Sequence, residues 1–214
     1  AHKLSDAMTP KSPTPPITEE DILGAIRLGV KDGEISPIES KMLNNIIRLE
    51  EKEIRQIMTP RTVMFTLDER MTVEEAFDKA IEEGFSRIPV YREDKENIVG
   101  YVMLHDLSSA KLLSKPDIRL SSLVKPIPIV PENQNCLILL TEFLKKRRHI
   151  AITCDEYGGV SGLVSLEDVI ETMLGAEIVD ENDSVVDLQK LARKQRQKRF
   201  EMLKTEPEMS AADS

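Results

Sequence analysis

The sequence predicts an α+β protein made of two tandem copies of one small α/β unit, preceded by a small acidic helical bundle and followed by a C-terminal helix. Three observations predict it. Up to Thr59-Pro60 the apolar residues recur at helical spacing among acidic ones, whereas from Pro60 onward short β-branched segments alternate with amphipathic stretches. Adding 62 to each position from Ser86 to Leu107 lands without a gap on Arg148 to Val169. The five identities among those 22 pairs, Ile88/Ile150, Gly100/Gly162, Val102/Val164, Leu104/Leu166 and Asp106/Asp168, read as one strand, one turn glycine and one helix start. Val90/Ile152 and Glu93/Asp155 match conservatively in the same register.

In chain order, residues 1–17 read as a proline-containing flexible leader. Thr18 caps a helix running to about Lys31, with Glu19, Glu20 and Asp21 in its first turn and Ile22, Ile26 and Val30 on its apolar face. Asp32-Gly33 breaks it, and Ser36-Pro37 starts a second helix with Ile38, Met42, Ile46 and Leu49 along one side. A short third helix over Glu51 to Met58 completes an acidic bundle, residues 18–58. The first repeat, 59–115, reads as a strand Val63 to Leu67, a helix Thr72 to Glu83, strands Ile88 to Tyr91 and Ile98 to Met103, and a helix from His105. The second, 120–176, reads as a strand Pro126 to Val130, a helix Gln134 to Arg147, strands Ile150 to Thr153 and Val160 to Val164, and a helix Leu166 to Leu174. Pro89 lacks an N–H, which points to an edge strand. The tail, 177–214, carries a basic helix over about Val186 to Leu203, read as a solvated arm, with membrane-surface or partner docking as the alternative.

Composition narrows the function. The net charge of −9 disfavours a nucleic-acid backbone, which is bound by neutralising phosphates with Lys and Arg. Cys136 and Cys154 have no CxxC spacing and the three histidines are scattered, so no zinc framework is legible and both thiols read as reduced. The longest apolar runs fall far short of the roughly 20 residues a membrane span needs. No Ser-His-Asp or Cys-His arrangement converges anywhere, and His105 beside Asp106 reads as structural or solvated, so an enzyme is not predicted. Asp32-Gly33-Glu34 with Glu39 reproduces the second half of a calcium-binding loop, but Leu28 and Val30 stand where its first oxygen ligands belong. A looser cation site among Glu19, Glu20, Asp21, Glu34 and Glu39 and a merely solvated acidic face both remain open.

The residues best suited to hold a ligand lie in the repeats. In Gly162-Leu163-Val164-Ser165-Leu166-Glu167-Asp168 a strand runs into a helix with Ser165 at the cap and Asp168 three residues on. Ser165 and the helix N-terminus suit phosphate, and Asp168 suits the hydroxyls of a ribose. Taken alone, the same pattern is a capping box that satisfies only its own backbone. In the other repeat, Phe85-Ser86-Arg87-Ile88-Pro89-Val90-Tyr91 offers an apolar strand for a flat purine, with Arg87 to reach phosphate.

MTPR at Met58 to Arg61, FSRIPVY at Phe85 to Tyr91 and GLVSLEDVIE at Gly162 to Glu171 together resemble a tandem cystathionine β-synthase (CBS) domain pair. Their spellings resemble the CorC and CNNM family of magnesium and divalent-cation transport proteins, over about Thr18 to Asp183. The resemblance implies a CBS pair that dimerises into a flat disc and binds ATP, with Mg2+ held through the phosphates. Phe65, Phe85, Ser86, Arg87, Ile88 and Pro89 would line the base and phosphate side, while Ser165 and Asp168 would hold phosphate or ribose. It also implies a covalently linked membrane domain and a place at the cytoplasmic face of the cell membrane, where this chain regulates and does not transport. The duplicated half has Met103 for the Ser165 hydroxyl and Ala151 where Pro89 stands, so one occupied cleft per chain is expected. The alternatives are a general adenine-nucleotide (AMP or ADP) sensor and a ligand-free dimerisation scaffold.

Overall fold

The computed structural model describes residues 16–113 and 118–176; all but the last two residues of the leader expected over 1–17, and the basic tail helix expected over 186–203, lie outside the described residues. The chain divides after Ile47 into two units.

The first unit holds α1 (Glu19–Lys31) and α2 (Pro37–Ile47), packed on each other. Thr18 and Asp21 form a capping box: the Thr18 hydroxyl accepts the Asp21 N–H at 3.3 Å and Asp21 Oδ2 accepts the Thr18 N–H at 2.8 Å. Ser36 and Glu39 repeat it at the start of α2. These bonds hold both carboxyls below their ordinary pKa, the backbone N–H being the larger cause. Leu23 and Ile26 are the buried residues of α1, so its core stripe departs from the expected face: Ile22 is 46% exposed. Nothing on α2 is buried, and Ile38 is 68% exposed.

The second unit contains two sheets. One runs β2 (Leu67–Asp68), β3 (Arg87–Arg92), β4 (Asp94–Met103); the other runs β1 (Thr59–Pro60), β7 (Val160–Ser165), β6 (Ile150–Cys154), β5 (Ile129–Pro131). Helices α3 (Val73–Glu83) and α4 (Leu104–Leu112) pack in the first half, α5 (Cys136–Lys146) and α6 (Leu166–Leu174) in the second. Each half has its own core: Leu67, Ile88, Val90, Val102 and Leu107 with α3 in one, Val130, Leu139, Phe143, Ala151 and Val164 in the other. Cys136 is buried in the latter, which pushes its thiol up to about 11.

Strand register revises the repeat. Val102 and Val164 are equivalent, but Ile88 pairs with Val102 whereas Ala151 pairs with Val164. Likewise Leu67 pairs with Val90, and Val130 with Thr153. The offset is therefore 63 through the first paired strands and 62 from Gly100 and Gly162 onward, the second hairpin being one residue shorter. Because side chains alternate between faces, that residue swaps the faces. The counterpart of Ile88 is Ala151, the counterpart of Pro89 is Ile152, and the identity of Ile88 with Ile150 is not a structural equivalence.

The halves exchange connecting strands. Thr59 and Pro60, which precede the first repeat, pair antiparallel with Leu163 and Gly162 of β7. Lys125, which precedes the second, pairs with Tyr101 of β4, exchanging N–H···O bonds of 2.9 and 2.8 Å. Both repeated glycines lie in strands, not in the expected turn, and both lie beneath these crossings. A Cβ on Gly162 would stand 2.2 Å from the Thr59 carbonyl oxygen, and one on Gly100 2.3 Å from that of Lys125.

Tertiary hydrogen bonding overrides local pattern in three places. Instead of a helix, residues 51–58 hold a 3-10 turn at Ile54–Gln56, because backbone groups of Lys52, Ile54 and Arg55 bond to Cys136, Gln134 and Glu132. Leu49 and Ile54 enter the core of the second half, which takes this stretch out of the predicted acidic bundle. Instead of a strand over 63–67 there is a 3-10 turn at Arg61–Val63 and a two-residue β2, since the chain must cross from β7 to β3. Finally, β3 is the central strand of its sheet, not an edge. Pro89 is tolerated there because the facing Tyr101 spends its N–H and C=O on Lys125, so Pro89 sits in a pair that needs no bond to β4, and β2 reaches only Val90 and Tyr91.

Candidate functional site

The predicted site residues form two groups. Ser165 ends β7 and caps α6: its hydroxyl accepts the Asp168 N–H at 3.0 Å, while Asp168 Oδ2 accepts the Ser165 N–H and hydroxyl, both at 2.7 Å. The capping box is thus present in full. Burial of the carboxyl pushes Asp168 up to about 6, with the two Ser165 bonds opposing and the nearby Glu171 and Glu167 charges adding to the rise. Among the described residues Asp168 Oδ1 receives no hydrogen bond, which leaves one carboxylate oxygen able to accept from a ligand. Replacing Ser165 with Ala is expected to cost about 1 kcal/mol, measured as a lower urea midpoint.

The second group lies on and before β3. The Phe65 and Phe85 rings pack with centroids 6.1 Å apart at 30°, against the core of the first half. Ser86 is exposed and its carbonyl accepts the Leu104 N–H, while Arg87 is partly exposed opposite Met103. Ile88 differs from the expectation. Its side chain belongs to the core and is 0% exposed, so only its backbone remains to meet a ligand.

Among the described residues no hydrogen bond or ring contact joins the two groups. They are related through β4, which touches β7, and through the connector that leaves β7 at Pro60, turns against it at Arg61–Val63, and passes Phe65 to reach β3 at Leu67. A connector of that length spans at most about 25 Å. Of the five acidic residues considered for a cation, Asp21 and Glu39 are engaged in capping boxes. Among the described residues no group of three or more His, Cys, Asp or Glu is placed to hold a metal ion. Lys125 escaped the sequence reading: its ammonium lies 2.6 Å from Asp106 Oδ2 and 3.4 Å from Met103 Sδ. The signal for it was the repeated glycine, which marks where a connector crosses.

Two α/β halves sharing exchanged strands, with a capped helix start at the end of β7, define a paired domain of the CBS type. The CBS-domain family profile matches residues 54–112 and 119–175. The magnesium and cobalt efflux protein CorC of Escherichia coli is 35% identical over 180 residues, which cover 83% of this chain and 61% of that protein. The CBS domain of a bacterial CNNM/CorC family Mg2+ transporter superposes with a TM-score of 0.72 at 38% identity, covering 77% of this chain and all (100%) of that one. The same kind of domain in complex with ATP gives a TM-score of 0.64 at 40% identity, covering 66% of this chain and 100% of that one. This chain belongs to the CNNM/CorC family of CBS-domain proteins. It spans 56% and 61% of the length of two curated relatives it matches. Among the described residues no helix is long and apolar enough to cross a membrane.

Proposed function

We propose that this chain is the regulatory part of a magnesium or divalent-cation transport protein, lying at the cytoplasmic face of the membrane, and that it binds ATP where β4 meets β7. The observation that carries this reading is the Ser165–Asp168 pair at the N-terminus of α6, a crowded carboxylate with one oxygen left to accept. A relative 40% identical was solved in complex with ATP. Asp168 Oδ1 accepts from the ribose hydroxyls. Phe65 and Phe85 present aromatic surface to the base, with Pro89 beside it on the same strand. Ser86, Arg87 and the first N–H groups of α6 take phosphate. Mg2+ travels on the phosphates. A nucleotide that binds one arrangement of a CBS dimer better than another shifts the population toward it, and the acidic helices carry that bias to a membrane part. Catalysis forms no part of this reading.

Titration calorimetry of ATP, with and without Mg2+, tests it. Mg2+-dependent binding is the expected result. Equal binding of AMP without Mg2+ would make the chain a general adenine-nucleotide sensor, phosphate release would make it an enzyme, and no binding would leave a dimerisation scaffold. The Arg87→Ala variant is expected to weaken ATP by about 10- to 100-fold, as befits a lost charge-assisted contact, and to leave adenosine unaffected.

A further inference from the structure

We infer that Lys125 is a built-in stopper that closes the junction quasi-equivalent to the Ser165–Asp168 site; the inference rests on reading that site as the nucleotide site. The counterparts follow from register. Thr59 pairs with Leu163 and Lys125 with Tyr101, each crossing a repeated glycine, so Lys125 stands where Thr59 stands. Arg87 faces Met103 and Ile150 faces Ser165, so Ile150 replaces Arg87, and Met103 replaces Ser165. Asp106 and Asp168 are equivalent first-turn carboxylates.

The two junctions differ in what their connector brings to the carboxylate. Thr59 is short and nearly buried, and the groups acting on Asp168 are Ser165 and two glutamates. Lys125 is pinned to β4 by its two backbone bonds, and its stem carries the ammonium over the N-terminus of α4 onto Asp106 Oδ2. A cation is unfavourable at a helix N-terminus unless a carboxylate compensates it, and Asp106 compensates it here. Met103 provides no cap hydroxyl there. The ion pair therefore occupies both groups that a ribose and phosphate would use.

The test compares Mg-ATP stoichiometry by calorimetry in variants that rebuild the second junction with or without Lys125. Met103→Ser with Ile150→Arg, Lys125 retained, is expected to bind one ATP per chain, as the wild type does. Adding Lys125→Thr is expected to raise this to two, and adding Asp168→Ala to that triple variant to return it to one. Two ATP with Lys125 still present would overturn the inference, as would one ATP in a triple variant whose thermal melt matches the wild type. If the Thr variant does not fold, Lys125→Met in the same background keeps the aliphatic stem and carries the same expectation. A wild type that binds no ATP would defeat the underlying assignment instead. The triple variant then still decides the role of Lys125, supporting it with one ATP bound and overturning it with none.

Discussion

At pH 7.5 the Asp168→Asn variant is expected to be more stable than the wild type by on the order of 1–3 kcal/mol while binding ATP at least about tenfold more weakly. The stability gain follows from the shift of Asp168 from the ordinary aspartate value of 3.8 up to about 6, caused first by burial of the carboxyl. A carboxyl whose folded pKa lies above its unfolded one is protonated in the folded chain and ionised in the unfolded chain between about pH 4 and 6. The wild type therefore loses stability as pH rises through that window, and the loss is complete above the folded pKa. Asn stays neutral throughout, and its Oδ1 can still accept the Ser165 N–H and hydroxyl that Oδ2 accepts in the wild type. Urea denaturation at pH 4 and at pH 7.5 should show a small gap widening to the full one. A gap that is constant with pH would sink the explanation. The binding loss follows because, with its oxygen on Ser165, the Asn puts an NH2 where Asp168 Oδ1 would accept from the ribose hydroxyls, and an amide nitrogen only donates. A charge kept at a cost to stability is what a ligand-holding position looks like.

The Gly162→Ala variant is expected to lose about 3 kcal/mol or more in urea denaturation, and Gly100→Ala a similar amount. Each added methyl would meet a backbone carbonyl oxygen, at 2.2 Å for Thr59 and 2.3 Å for Lys125. A backbone atom held in a strand pair cannot rotate aside as a side-chain end can, so the crossing itself must open. Gly159→Ala is the matched control, because its Cβ would approach only the Asp155 side chain, at 3.0 Å, and its loss should stay below about 1 kcal/mol. Gly162→Ala should also weaken ATP binding, since the displaced connector carries Phe65 from β7 to β3. A Gly162→Ala protein as stable as the Gly159→Ala one would mean that the strand exchange contributes little.

Local signals were enough for much of this molecule. The helix over 166–174 has the predicted bounds, because Ser165 and Asp168 close a box whose geometry depends on nothing outside those few residues. Thr18 and Thr72 cap α1 and α3 for the same reason, and the duplication was visible because Gly100, Val102, Leu104 and Asp106 recur at one spacing. The sequence also placed Arg87 at its strand, whereas Phe65, expected within a strand over 63–67, lies on the connector before β2. Only the tertiary structure decided the rest. The one-residue slip between the hairpins cannot be seen in a gap-free identity pattern, because register lives in hydrogen bonds between strands, and it made Ile152 the counterpart of Pro89. Pairings such as Thr59 with Leu163 or Ile54 with Gln134 join residues far apart in the chain, so no local window carries them. The same distance hid the pairing of Lys125 with Asp106: an ion pair across a strand exchange exists only once the fold has brought its two ends together.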